Sequence, residues 1–265
     1  MTLSDRPGTT SWVKQDVVSG DAAPALIRPI DVLNSYAPHD GTLWGLLDSR
    51  ATVCGDETFL IYEDRSLSWR EFREQVRRAA SKLAAMGVKK GDRVAVMAAN
   101  SDRYVILFFA VARIGAILVP VNPALTADEA RYIIDHAGPI AVFGTEATCD
   151  VLRTIHDDSK RKPYLVMIEG AAAGWARFET LCAAASPGSD KSEASADDTA
   201  LILYTSGTTG LPKGVMHAQR NIVTAGEVFV ERMYLQPAER MLCVLPFFHI
   251  NALLYSLMGA AAAGV

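Results

Sequence analysis

Cysteine pairs, long apolar runs and an excess of basic charge are all missing from this sequence. Its four cysteines lie far apart, and no two of them form a C-x-x-C pair. This spacing argues against a zinc knuckle and a disulfide framework, and it is typical of a reducing compartment. No segment reaches the roughly 18 uninterrupted apolar residues of a membrane span, and the first residues lack a basic stretch leading into an apolar run. We therefore predict a cytoplasmic protein without a transmembrane segment.

The charge balance disfavours nucleic acid as a partner. The 265 residues include 26 Lys and Arg against 30 Asp and Glu, for a net charge of −4. Such a chain has no basic field for releasing counterions from DNA or RNA, so any phosphate that it binds must be held locally. Its 50% of hydrophobic residues and 21% of charged residues are typical of a folded protein of one or two domains.

Helix and strand patterns alternate along the chain from residue 42. Ser68 with Glu71, and Thr126 with Glu129, have the spacing of capping boxes at the start of two helices. Apolar runs predict buried strands over residues 93–97, 117–121, 140–143 and 164–168, and residues 175–184 predict a further helix. The alternation predicts an α/β fold of mostly parallel β-sheets flanked by helices.

Composition divides the sequence into four parts. Residues 1–41 form an N-terminal lead-in without sustained periodicity, and residues 42–185 form a first α/β subdomain. The polar stretch 186–198 is interpreted as a linker. Residues 199–265 then carry the segment in which we expect the chemistry.

That segment begins with an apolar run, 199–204, followed by a loop rich in hydroxyl groups and glycine. Glycine lets backbone N–H groups approach phosphate oxygens, hydroxyls donate hydrogen bonds, and a lysine adds a mobile positive charge. The candidate phosphate ligands are Thr205, Ser206, Gly207, Thr208, Thr209, Gly210 and Lys213. A flexible turn is the alternative interpretation. The loop is not a Walker A motif, since Pro212 and Gly214 replace the required Gly and Ser or Thr, and no G-x-G-x-x-G motif supports a Rossmann site.

Residues 204–215, read as YTSGTTGLPKGV, closely resemble the phosphate-loop signature of the adenylate-forming enzymes. This family includes the AMP-forming acyl-CoA synthetases, the adenylation domains of peptide synthetases and the luciferases. Four further segments resemble early elements of the family and occur in the expected order. They are residues 67–72, 91–97, 115–123 and 245–251. The resemblance covers residues 42–265.

The resemblance implies a ligase with two half-reactions. A substrate carboxylate attacks the α-phosphate of ATP to give acyl-AMP and pyrophosphate, and a thiol, usually of coenzyme A, then displaces AMP. Residues 205–210 and Lys213 are expected to hold the β- and γ-phosphates, with Thr205 close to Mg²⁺. The implied cofactors are therefore ATP, Mg²⁺ and coenzyme A, and the implied partner is a small-molecule carboxylic acid.

Lys213 and His249 are the candidate catalytic residues. Within the resemblance, the aromatic turn 246–249 lines the acyl pocket, so His249 is expected to orient the reacting carboxylate. A lone histidine between apolar residues is also compatible with a buried or turn histidine whose nitrogens are satisfied locally. His136 and His156 have no neighbours at metal-ligand spacing and are interpreted as structural.

Later elements of the family have no counterpart in the sequence, among them an acidic Mg²⁺ ligand, a ribose-binding motif and the C-terminal lid. We therefore expect an incomplete N-terminal domain of an adenylate-forming enzyme, inactive by itself. The leading hypothesis is the N-terminal part of an ATP-dependent acyl-CoA synthetase of fatty acid metabolism. A peptide-synthetase-type adenylation enzyme and a truncated, non-catalytic nucleotide-binding module are the alternatives. A homo-oligomer stays open.

Overall fold

Two β-sheets organise the chain in the computed structural model, which describes residues 26–186, 191–205 and 210–265. The strands are β1 Thr58–Tyr62, β2 Arg65–Ser68, β3 Arg93–Met97, β4 Ile117–Pro120, β5 Ala141–Gly144, β6 Tyr164–Met167, β7 Ala176–Arg177, β8 Thr199–Thr205 and β9 Lys213–Ala218. Strands β1 and β2 form a separate antiparallel hairpin. The larger sheet has seven strands in the order β7-β6-β5-β3-β4-β8-β9. Its strands are parallel except β9, which runs antiparallel to β8.

Helices connect most of these strands. They are α1 Pro29–Asn34, α2 Leu43–Val53, α3 Trp69–Ala85, α4 Asp102–Ile114, α5 Ala127–Ala137, α6 Cys149–Asp158, α7 Phe178–Ala183, α8 Gln219–Met233 and α9 Met258–Ala263, the last preceded by a π-helix, Asn251–Leu257. Both predicted capping boxes are present. The backbone N–H groups of Ser68 and Thr126 donate to the carboxylates of Glu71 and Glu129, at 2.8 and 2.9 Å.

Apolar side chains cover both faces of the larger sheet. Along β3, Val94 and Val96 belong to one core cluster, whereas Ala95 and Met97 belong to another on the opposite face. A parallel strand with helices on both sides needs apolar residues on both faces, because neither face meets water. The predicted α/β class with a mostly parallel, helix-flanked sheet is confirmed.

Two strands of the larger sheet differ from the prediction. Residues 175–184 were expected to form one helix, but residues 176–177 form β7 and the helix begins only at Phe178. The short strand pairs with β6, because an edge of the sheet is available there. The second difference is β9, which the sequence pattern did not predict. It makes the sheet mixed at its other edge.

Residues on both sides of the polar stretch 186–198 contribute to the same sheet. Strand β8 lies beside β4, with Leu201 opposite Leu118. Within the stretch, residues 191–198 contact the body of the fold. The Ser192 hydroxyl donates to the Arg113 carbonyl at 2.8 Å, and the Lys90 ammonium pairs with Asp198 at 2.6 Å. The division into 42–185, 186–198 and 199–265 stays a prediction.

No helix in the described part of the chain combines the length and the hydrophobicity that crossing a bilayer requires. All four cysteine thiols are free. Only Cys54 is fully buried, and the other three are half-buried. Burial raises the pKa of the Cys54 thiol to about 11, which keeps it protonated at neutral pH.

Candidate functional site

The β8–β9 hairpin brings two of the predicted site residues together. Thr205 ends β8 and Lys213 begins β9, and the two residues are directly opposite in the antiparallel ladder. Opposed Cα atoms in such a ladder lie about 4.5–5.5 Å apart. Both side chains are exposed. Because β8 is parallel to β4, the pair lies at the carboxyl end of the parallel strands, where open α/β sheets bind their ligands.

The predicted phosphate ligands Ser206, Gly207, Thr208 and Thr209 lie outside the described residues, so their roles stay predictions. Gly210 is described and has a φ of +133°, a backbone conformation that residues with a side chain rarely adopt. Residues 210–214 line one side of a cavity of about 570 Å³. Tyr132 and His136 of α5 line the other side.

The Lys213 ammonium has a charge that no described side chain of the site neutralises. Among residues 26–186, 191–205 and 210–265, no carboxylate lies within ion-pair distance of its Nζ atom. In contrast, Lys90 and Arg65 are paired with carboxylates. An uncompensated ammonium beside an exposed hydroxyl fits a phosphate group, because both supply the donors that phosphate oxygens accept.

The described residues are less suited to a metal ion coordinated by protein side chains alone than to a phosphate group. No cluster of three or more His, Cys, Asp or Glu side chains with ligand geometry occurs among them. Magnesium in nucleotide sites keeps several waters and reaches the protein through phosphate oxygens and one or two side chains. The exposed Thr205 hydroxyl fits the role of one such ligand. It does not form a metal site by itself.

His249, the other predicted catalytic residue besides Lys213, lies on an exposed turn. Its backbone N–H donates to the Pro246 carbonyl at 2.9 Å, and its ring lies 4.5 Å from the Phe248 ring. Phe247 is buried and packs against Tyr104 at a ring distance of 5.2 Å. Among the residues with described positions, His249 has no hydrogen bond or ion pair with Thr205 or Lys213.

Asn100 fixes that turn, and sequence reasoning missed it. Its Oδ1 accepts a hydrogen bond from the Phe247 N–H, and its Nδ2 donates to the Leu245 carbonyl, both at 2.8 Å. Asn100 follows β3, which is separated from β8 by β4 alone. The His249 turn is therefore anchored at the carboxyl end of β3, and the Thr205–Lys213 pair lies at the carboxyl end of β8, two strands away in the same sheet. A polar residue just after a buried strand was the available signal.

Replacing Asn100 by alanine should lower the free energy of unfolding by about 1–2 kcal/mol, because two backbone groups of the turn lose their partner. Urea denaturation of the intact protein measures the change. Asn122→Ala is the matched control, since the Asn122 side chain accepts a local hydrogen bond, from the Ala124 N–H at 2.9 Å. Equal midpoints for the Asn100 variant and the unmodified protein would contradict the tethering role.

The sequence profile of the AMP-binding enzyme matches residues 47–265. The chain belongs to the AMP-binding enzyme family. The resemblance that the phosphate loop suggested is thereby confirmed over most of the chain. Within this AMP-binding domain, the residues that resemble the phosphate-loop signature begin at the end of β8 and continue into β9.

Individual relatives of this AMP-binding domain include a curated CoA ligase and two solved structures. A crotonobetaine/carnitine–CoA ligase from Salmonella paratyphi C is 33% identical over 227 residues, which cover 82% of this chain and 44% of that ligase. The solved N-terminal domain of FACL13 from Mycobacterium tuberculosis superposes with a TM-score of 0.75 at 26% identity, over 84% of this chain and 55% of that one. ATP-bound MatB from Rhodopseudomonas palustris superposes with a TM-score of 0.74 at 27% identity, over 85% and 44%. The chain thus spans about half or less of the length of these relatives.

Proposed function

We propose that this chain is the N-terminal part of an ATP-dependent acyl-CoA synthetase that activates a carboxylic acid as acyl-AMP and transfers the acyl group to CoA. One observation carries the proposal. In a member of the AMP-binding enzymes, the hairpin places Lys213, which has no carboxylate partner among the described residues, opposite Thr205 at the carboxyl end of the parallel strands. The similarity to acyl-CoA ligases supports the choice of acceptor.

In the first half-reaction, a carboxylate oxygen of the acid attacks the α-phosphorus of ATP. The bond from the α-phosphorus to the bridging oxygen breaks, and pyrophosphate leaves with both bonding electrons. Negative charge therefore grows on the β- and γ-phosphates. Lys213 and Thr205 are proposed to hold these groups, together with the donors that the loop signature predicts at residues 206–210. Donors that meet this growing charge stabilise the transition state more than bound ATP, and so they raise the rate.

Magnesium would neutralise part of the phosphate charge, with the Thr205 hydroxyl as its protein contact in this chain. His249 is proposed to orient the attacking carboxylate from the exposed turn that Asn100 fixes. An imidazole N–H can donate to one carboxylate oxygen and leave the other free to attack. No protein nucleophile is needed, because the substrate carboxylate attacks directly.

In the second half-reaction, the CoA thiol releases its proton to solvent and its sulfur attacks the carbonyl carbon of acyl-AMP. The bond from that carbon to the phosphate oxygen breaks, and AMP leaves. The activity is proposed for the intact protein in the cytoplasm, as part of fatty acid metabolism. The expectation that the 265 residues alone form no acyl-CoA stays a prediction.

Acid-dependent exchange of labelled pyrophosphate into ATP tests the first half-reaction without CoA. The intact protein should be assayed with a panel of acids that includes carnitine, crotonobetaine and fatty acids of increasing length. At least one acid should support exchange, and adding CoA should then release AMP and form a thioester. Exchange without thioester formation would favour a peptide-synthetase-type adenylation enzyme, which loads a carrier-protein thiol. ATP binding without exchange for any acid would favour a non-catalytic nucleotide-binding module.

A further inference from the structure

Tyr204, the residue before Thr205 in β8, is tied to helix α5. Its hydroxyl lies 2.7 Å from Nδ1 of His136, and the two rings meet edge to face at 5.8 Å. His136 in turn stacks on Tyr132 one helical turn earlier, with ring centroids 5.7 Å apart and planes inclined by 17°. Burial raises the pKa of the Tyr204 phenol, so it stays neutral and keeps its hydrogen-bonding proton.

The helix end that carries His136 is itself fixed to the sheet. Arg93, the first residue of β3, donates from its guanidinium to the carbonyls of Ala137 and Gly138, at 2.8 and 3.0 Å. These are carbonyls at the C-terminal end of α5, which otherwise lack helical partners. His136 therefore extends from a rigid support, and the hydrogen bond to Tyr204 connects that support to the hairpin.

The Tyr204 ring lies against the backbone next to Lys213. Tyr204 is directly opposite Gly214 in the ladder. A Cβ atom on Gly214 would lie 3.3 Å from Cζ of Tyr204 and 2.8 Å from Cγ2 of Ile202, so this position has no room for a side chain. The ring thus packs over the residue that follows Lys213. Moving Tyr204 would move both ends of the loop, Thr205 on one strand and Lys213 on the other.

We propose that His136 is a positioning residue for adenylation, which acts through the Tyr204 hydroxyl to hold Thr205 and Lys213 in register with the phosphates of ATP. This inference rests on the proposed function and adds a residue to its machinery. Its chain of contacts runs from Arg93 through α5, His136 and Tyr204 to the hairpin. His136 lines the same cavity as residues 210–214.

Pyrophosphate exchange in the intact protein tests the proposal, with kcat and the KM for ATP and for the acid measured separately. His136→Ala should lower kcat/KM for ATP about three- to tenfold, as expected for one lost hydrogen bond, and leave the KM for the acid unchanged. His136→Asn should restore most of the loss, because an amide group can take the place of Nδ1. His156→Ala is the matched control, since the His156 ring hydrogen-bonds its neighbour Asp157 on α6 and does not line the cavity of residues 210–214.

Tyr204→Phe removes a single oxygen and keeps the ring over Gly214. It therefore tests the hydrogen bond from His136 to Tyr204 without disturbing the packing of the hairpin. It should reproduce the His136→Ala loss, and the double variant should lose no more than either single variant. Losses that simply multiply in the double variant would overturn the proposal. So would wild-type ATP kinetics in His136→Ala. If the unmodified protein supports no exchange with any acid, the proposed function fails, whereas normal exchange with unaffected variants contradicts this inference alone.

Discussion

Replacing Lys213 by alanine is expected to slow acid-dependent pyrophosphate exchange by roughly a hundredfold or more in the intact protein. Loss of a well-placed charged donor typically costs on the order of 2–4 kcal/mol of transition-state stabilisation. Lys213 has no carboxylate partner among the residues whose positions are described, so its removal should leave the fold stable. The thermal unfolding midpoint should stay within a degree or two of the unmodified protein, as is usual for an exposed side chain.

Two further variants sharpen this test. Lys213→Arg should not restore the rate, because a planar guanidinium cannot replace a compact ammonium at one point of contact. Lys160→Ala provides the matched control, since Lys160 is another exposed lysine that lies beyond α6. Exchange at the unmodified rate in Lys213→Ala, at both saturating and low ATP, would show that Lys213 is only a turn residue. The phosphate-loop assignment would then be wrong.

The second large effect is on stability. Gly226 of α8 faces the start of α9, and a Cβ atom there would collide with the Met258 carbonyl, with the carbonyl carbon only 2.7 Å away. Gly226→Ala should therefore push the two helices apart and lower the free energy of unfolding by about 3 kcal/mol. In an exposed helix the same change would stabilise by roughly 1 kcal/mol, so the two expectations have opposite signs.

Urea denaturation decides between them. Thr224→Ala, at an exposed position of the same helix, should change the midpoint little. A midpoint for Gly226→Ala at or above that of the unmodified protein would mean that α8 and α9 are not packed as closely as described. The measurement does not depend on catalysis, so it tests the fold separately from the proposed function.

Local signals in the sequence predicted much of the fold. The capping boxes at Ser68 and Thr126 set the starts of two helices through contacts three residues apart, which the sequence shows directly. Strand β9 gave no such signal. Its second residue is Gly214, its burial does not alternate, and it lies at the edge of the sheet. A prediction from sequence patterns therefore assigns residues 213–218 to a loop.

The sequence predicted the candidate site from its local motif, but it did not predict the long-range contacts of that site. The loop signature identified Thr205 and Lys213 because both belong to one short segment. The partners of that segment are distant in sequence. His136 and Tyr204 are 68 residues apart, and Asn100 and Phe247 are 147 residues apart. No periodicity or spacing encodes such pairs, since only the folded sheet brings them together.

The place of β8 beside β4 has a consequence for how the chain reaches its fold. Strands β3 to β6 pair with one another over short stretches of sequence, but the β4 edge stays open until β8 arrives from beyond residue 198. Pairing strands so far apart in sequence is slow, because the loop must close before the contacts form. On the ribosome, the exposed edge of β4 must wait for a strand synthesised much later. During that interval its unpaired backbone groups are open to mispairing and chaperone capture.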